Sequence, residues 1–145
     1  MKTIRLLLLL LMPSYLLIAC SNDENIPQLT GIVWKCKGFV NTSEGSLTQI
    51  HPKQETMPVK NYTILFETSG NVEGYTGANT FKGMYTKIGN RLKLYEIERT
   101  FVGIIGENVD YENILFNSIE TYELSNKELL LYFDNGKKYL LFYPL

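Results

Sequence analysis

Residues 129–144, LLLYFDNGKKYLLFYP, decide the fold class. Leu129 to Phe133 and Lys138 to Tyr143 are rich in Leu, Tyr and Phe, as segments packed on a sheet are. Between them, Asp134-Asn135-Gly136 supplies residue types that accept the left-handed backbone of a tight turn, so the segment is predicted to be a β-hairpin. Its first strand is apolar on both sides, with Leu129, Leu131 and Phe133 opposing Leu130 and Tyr132. Both sides need cover, and a helix is the expected cover for the outer one.

Working backwards, the same grammar repeats. Tyr122-Glu123-Leu124 is a short strand before a Ser125-Asn126-Lys127 turn, and Gly89-Asn90 joins Phe81–Ile88 to Arg91–Thr100. Phe81, Gly83 and Tyr85 share a face; Leu92 and Leu94 share another, with Tyr95 and Ile97 opposite. Ser69-Gly70-Asn71 turns the chain into Val72–Thr76, and Lys60–Glu67 alternates with Tyr62, Ile64 and Phe66 on one side. Gly31–Val40 reads as the first strand and carries Trp34, while 41–58 reads as a long loop. Phe101–Gly106 is an apolar, glycine-containing connector. Asn108–Ser118 is the one helical pattern: Asn108 caps it, Asp110 and Glu112 suit its first turn, and Tyr111, Ile114 and Leu115 line one side. The sum is a mainly β chain, a small antiparallel barrel-like sheet of about eight strands with one short helix, since closure removes exposed strand edges.

The first 19 residues do not belong to that domain. Lys2 and Arg5 precede the apolar run Leu6–Met12, which gives the build of a secretory signal. The mostly apolar stretch ends at Ala19, short of the roughly 20 residues a spanning helix needs. Leu17-Ile18-Ala19-Cys20 resembles the bacterial lipobox. That resemblance implies cleavage before Cys20 and a diacylglyceryl group on its thiol, with a further acyl chain such as palmitate on its amine. Several chains hold a protein firmly where one binds marginally. The expected organisation is therefore a signal peptide over 1–19, an acylated Cys20 and polar tether over 20–28, and a β domain over 29–145. Ser21, and not the aspartate that resembles an inner-membrane retention signal, follows the cysteine, so the resemblance implies the outer membrane, with the periplasmic and cell-surface sides both open.

Beyond Ala19 there are 12 basic and 15 acidic residues, so no basic stripe offers nucleic acid a footprint. With Cys20 acylated, Cys36 has no second thiol for an internal disulfide and is expected as a buried strand residue. No cofactor motif occurs. His51, the single histidine, stands beside Pro52 in the long loop and lacks the companions a metal site needs. Glu96 and Glu98 lie two apart on one strand, the spacing of paired carboxylates, yet a glycosidase needs a cleft around them, and a solvated strand end explains the pair more simply. An enzyme is not expected. Nine Tyr, seven Phe and one Trp remain beyond the leader. They either fill a small barrel or form a binding surface with the Phe101–Gly106 connector.

The domain resembles the META or HslJ-like domain of bacterial envelope lipoproteins. The resemblance begins at Leu29-Thr30-Gly31-Ile32-Val33-Trp34 and is best over Gly77-Ala78-Asn79-Thr80-Phe81-Lys82-Gly83-Met84-Tyr85, similar to the family's G-x-N…G-x-Y signature. The cysteines that the family often carries near this signature are absent here. Trp34, Gly77, Asn79, Gly83 and Tyr85 are thereby the candidate binding or structural positions. Gly77 and Gly83 would allow tight turns or close strand approach, and Asn79 would bond neighbouring backbone in its turn. The resemblance implies a non-enzymatic part in envelope maintenance, stress response or drug tolerance through protein contacts. A lipocalin-like carrier holding a small apolar ligand in its barrel is the competing expectation.

Overall fold

A computed structural model describes residues 28–50, 57–102, 108–125 and 127–145. The 129–144 segment is the expected hairpin: β8 (Leu129–Phe133) pairs with β9 (Lys138–Pro144), Leu131 opposite Leu140. Asp134, Asn135 and Gly136 all take positive φ, which explains those residue types at the turn. Before it come β1 (Val33–Asn41), β2 (Leu47–Thr48), β3 (Thr63–Phe66), β4 (Asn71–Tyr75), β5 (Thr80–Ile88), β6 (Arg91–Arg99) and β7 (Thr121–Leu124). β1, β3, β4, β5, β6, β7, β8 and β9 follow one another around the sheet, all antiparallel, and β9 returns to pair with β1. Eight strands thus close into a barrel. β2 lies inside the expected 41–58 loop; it pairs with the second half of β1, whose first half is taken by β3.

Alternating strand direction sorts the connections into two ends. The start of β1, the β3–β4, β5–β6 and β7–β8 turns and the finish of β9 share what we call the entry end. There the Gly31 amide donates to the Phe66 carbonyl at 2.9 Å and the Leu145 amide to Val33 at 2.9 Å. The opposite end carries the β4–β5 and β8–β9 turns, the exit of β6 and the helix. In the latter, α1 (Asn108–Asn113) runs on into a π-helical turn over Ile114–Ser118, the span predicted for a helix.

The barrel interior follows from register. Trp34, Ile64, Gly74, Phe81 and Arg99 are successive cross-strand partners in a single row, so they share the inner face. Gly74 leaves its place in that row to the Phe81 ring: a Cβ there would stand 2.1 Å from the Thr63 carbonyl oxygen and 2.8 Å from ring atoms. Trp34, Cys36, Ile64, Phe66, Val72, Phe81, Leu92, Leu94, Leu129, Leu131, Leu140 and Phe142 are all buried in one cluster. Burying roughly 25 cal/mol per Å² of apolar surface, that cluster is the main source of stability.

Two expectations change. The helix does not cover the outer side of β8 and β9; Tyr111 and Leu115 instead join the interior cluster, with the Tyr111 ring edge-on to Tyr62 at 5.2 Å. A barrel that widens between β6 and β7, which share one paired position, needs a plug more than an outer layer. Ile97 also departs from the predicted outer face and packs on the core. A β-bulge shifts the register opposite Gly83, with Glu96 at φ 53, and one inserted residue reverses the alternation beyond it.

Candidate functional site

Of the signature positions, Gly77 and Asn79 stand at the helix end of the barrel, while Trp34 and Tyr85 bond toward the entry end. The β4–β5 loop is a compact turn in which Thr76 and Asn79 exchange bonds: the Thr76 amide donates to the Asn79 carbonyl at 2.7 Å and the Asn79 amide to Thr76 Oγ1 at 3.0 Å. With its own backbone so occupied, the Asn79 side chain reaches outward from the turn, beyond the local role expected of it. Its Nδ2 donates to Glu112 Oε1 at 3.2 Å, and its Oδ1 accepts from the Val102 amide at 2.8 Å. Thr100 extends the network by accepting the Thr80 amide at 3.0 Å. Asn79, itself buried, therefore ties together the β4–β5 turn, the exit of β6 and the helix. One further bond ties this end to the β2–β3 connection, from Asn61 Nδ2 to the Gly77 carbonyl at 3.1 Å.

Glu112 and Arg99 complete the site, and both were missed from sequence. Arg99 ends the interior row headed by Trp34, and its guanidinium donates to Glu112 Oε2. The Glu112 side chain is 2% exposed and that of Arg99 36%, so the carboxylate is the buried partner. A lone buried carboxylate would be strongly disfavoured; the guanidinium and the Asn79 amide are what allow it to stay. The bulge conceals Arg99, because counting from Leu92 and Leu94 without it puts position 99 on the outer face.

The other signature positions are structural supports. Trp34 is buried, and its Nε1 donates to the Leu29 carbonyl at 3.0 Å, so the chain just before β1 lids the entry end. Gly83 faces the bulge, where a Cβ would lie 2.5 Å from Ile97 Cδ1 and 3.0 Å from the Tyr95 carbonyl oxygen; this is the close strand approach expected of it. Tyr85 stacks edge-on to Phe66 at 5.0 Å and donates its hydroxyl to the Glu67 carbonyl at 2.9 Å. Burial, with Tyr122 beside it, raises the Tyr85 hydroxyl above its ordinary range.

Around the site lie groups of contrasting character. Phe101 and Val102 leave β6 at 78% and 63% exposure, although the Val102 backbone is pinned by Asn79. Burial pushes the Cys36 thiol up to about 12, opposed by its contact with the Gly38 carbonyl and by Lys35, which makes it inert as a nucleophile near neutrality. Lys35 is buried, and its ammonium donates to the Val59 carbonyl at 3.0 Å and to that of Asn61; desolvation lowers its pKa. Glu96 and Glu98 are exposed on the outer face, and Glu98 is paired with Lys82 at 3.0 Å. Cys20 and His51 lie outside the described residues.

Residues 28–144 match the META domain. The chain belongs to the META domain family. A protein of Tannerella forsythia described as "Putative lipoprotein" is 25% identical to it over 130 residues, which cover 84% of this chain and 80% of the relative. The META barrel is similar in fold to a DUF4847 family protein from Bacteroides vulgatus, with a TM-score of 0.64 at 16% identity over 79% of this chain and 93% of that one. A protein from Burkholderia xenovorans solved by NMR gives a TM-score of 0.60 at 19% identity, covering 81% of this chain and 83% of the other. In this META barrel the Asn79–Glu112–Arg99 network is the clamp between barrel and helix.

Proposed function

We propose that the chain is a non-enzymatic lipoprotein, anchored in the outer membrane by lipid on Cys20, whose META barrel serves envelope maintenance or stress and drug tolerance by binding envelope proteins. The Tannerella relative's description and the lipobox-like Leu17-Ile18-Ala19-Cys20 support the anchor. The observation that carries the binding role is the contrast at the helix end. The interior is packed with side chains, while an aromatic and a β-branched residue stand in solvent on backbone held by a buried asparagine. Exposed apolar groups on pinned backbone lose little conformational entropy on association, which favours their use as contact points. The carrier reading is the weaker one because the apolar-lined space between β6 and the helix, about 370 Å³ bordered by Leu92, Leu94, Leu115, Phe116 and Ile119, is an open groove and not an enclosed cavity. The solvated Lys82–Glu98 pair speaks against glycosidase chemistry.

The test is capture of partners from outer membranes with the acylated chain, compared with Phe101→Ala plus Val102→Ser. Loss of specific partners at unchanged thermal stability is the expected result. Equal recovery by the substituted chain would overturn the contact reading. Co-purification of a stoichiometric apolar ligand would bring back the carrier.

A further inference from the structure

We infer that the entry end of the barrel is a membrane-contact surface that rests on lipid headgroups through Ile88 and its basic neighbours, so that the helix end faces away from the bilayer. The inference rests on the lipid anchor proposed for Cys20 and adds an orientation to it.

The tether meets the domain at this end. Thr30 pairs with Phe66, the Gly31 amide donates to the Phe66 carbonyl, and Leu29 is buried beneath them, so the chain joins the barrel at its entry end. Eight residue steps separate Cys20 from Gln28. At about 3.5 Å per residue they reach at most roughly 28 Å. β1 has nine residues, which rise roughly 30 Å along the strand and roughly 23 Å along a barrel axis at the usual tilt. A tether whose full reach is about the height of the barrel keeps the end it joins nearer the membrane.

The side chains of that end suit such a position. The two-residue β5–β6 turn, Gly89-Asn90, is polar, yet Ile88 at its shoulder is 79% exposed, the most exposed large hydrophobic among the described residues. Val33 and Leu145, at the same end, are also exposed. Arg91 is the cross-strand partner of Ile88 on the same face and is itself exposed, and Lys87 beside it is also exposed, with its ammonium over the Tyr122 ring at 6.0 Å. Lysine and arginine lay their stems along apolar surface while their charged heads meet phosphates, a combination that fits the headgroup layer better than open water. The Glu67 carboxylate on the neighbouring turn is occupied by Ser69 Oγ at 2.9 Å and Asn71 Nδ2 at 3.3 Å. Phe101 and Val102 are the rival apolar tip, but they stand at the opposite end. A short tether cannot press both ends on one bilayer, and its point of attachment selects Ile88.

The acylated chain is purified in detergent as Ile88→Cys or Val102→Cys and labelled with bimane, Cys36 being buried and Cys20 acylated. Each form is reconstituted in phosphatidylethanolamine–phosphatidylglycerol vesicles containing headgroup-nitroxide lipid. Both introduced positions are exposed, and Trp34 emission reports that each variant is folded. Flotation with the vesicles, with label at position 88 quenched at least three-fold more than label at 102, is the expected outcome. Equal quenching in floating protein, or stronger quenching at 102, overturns the orientation and leaves the anchor standing. Failure to float overturns the anchor and the membrane-contact surface with it.

Discussion

Replacing Arg99 with alanine tests whether the clamp at the helix end works as read. The Glu112 side chain is 2% exposed and is held by the Arg99 guanidinium and the Asn79 amide. Removing one partner of a fully buried pair costs about 3–5 kcal/mol, chiefly from the charge left behind. Because the Arg99 side chain is 36% exposed, water enters the vacated space and the expected cost falls to about 2–3 kcal/mol. For a domain of this size that corresponds to a drop in Tm of about 10 °C. Glu112→Gln removes the charge, keeps an acceptor for Asn79 and leaves Arg99 access to solvent, so it should cost about 1 kcal/mol. The two effects should not add: in the neutral Glu112→Gln background, Arg99→Ala orphans no charge, and the coupling should reach about 1–2 kcal/mol. Urea unfolding of the non-acylated Cys20→Ala chain, followed by Trp34 emission, measures all four corners of the cycle. Additive costs, or an Arg99→Ala penalty below about 0.5 kcal/mol, would refute the reading.

Four further outcomes follow from particular contacts. Gly74→Ala should destabilise by about 3 kcal/mol or more in the same urea assay, because its Cβ meets the Thr63 backbone at 2.1 Å, and Phe81 would have to leave the row. Tyr111→Phe should stabilise by about 1 kcal/mol, since the buried Tyr111 hydroxyl has no hydrogen-bond partner among the described residues; a loss of stability would point to a bound water there. The Cys36 thiol titrates at about 12 in the fold against 9.0 in its ordinary state, so the native state holds the extra proton between those values. Stability should then fall as pH rises above about 9, by about 1.4 kcal/mol per unit from this group, and a flat unfolding profile from about pH 9 to 11 would contradict it. Cys20→Ala should abolish palmitate labelling and vesicle flotation while leaving the Trp34 unfolding midpoint unchanged.

Much of the barrel was legible because its signals are local. The Asp134-Asn135-Gly136 turn, the alternation of Ile64 with Phe66 and the Tyr111–Leu115 stripe each follow from a few adjacent residues, and each lies where the pattern put it. The candidate site was half legible. The family signature pointed to Asn79, but the reach of its side chain to Glu112 spans 33 positions, and a local reading cannot see that distance. Arg99 was lost for a different reason. The bulge at Glu96 costs the strand its parity, and no glycine or proline at that position announces it. The outer cover expected over β8 was wrong because apolar alternation shows that a surface is shielded or sticky, not which element does the shielding. There, Tyr132 and Tyr139 instead shield one another, with ring centres 5.3 Å apart.

The pairing of β1 with β9 also has a meaning in time. Trp34 meets Pro144 and Asn41 meets Lys138, so the seam joins stretches about a hundred residues apart, and it cannot form until the last strand is present. Contacts of such long range slow folding, typically to milliseconds or longer. Under the export proposed for this chain, that delay would be useful. The leading strands would cross a membrane as extended polypeptide without a stable barrel to jam the passage, and the seam would be stitched only after the final hairpin had arrived on the far side.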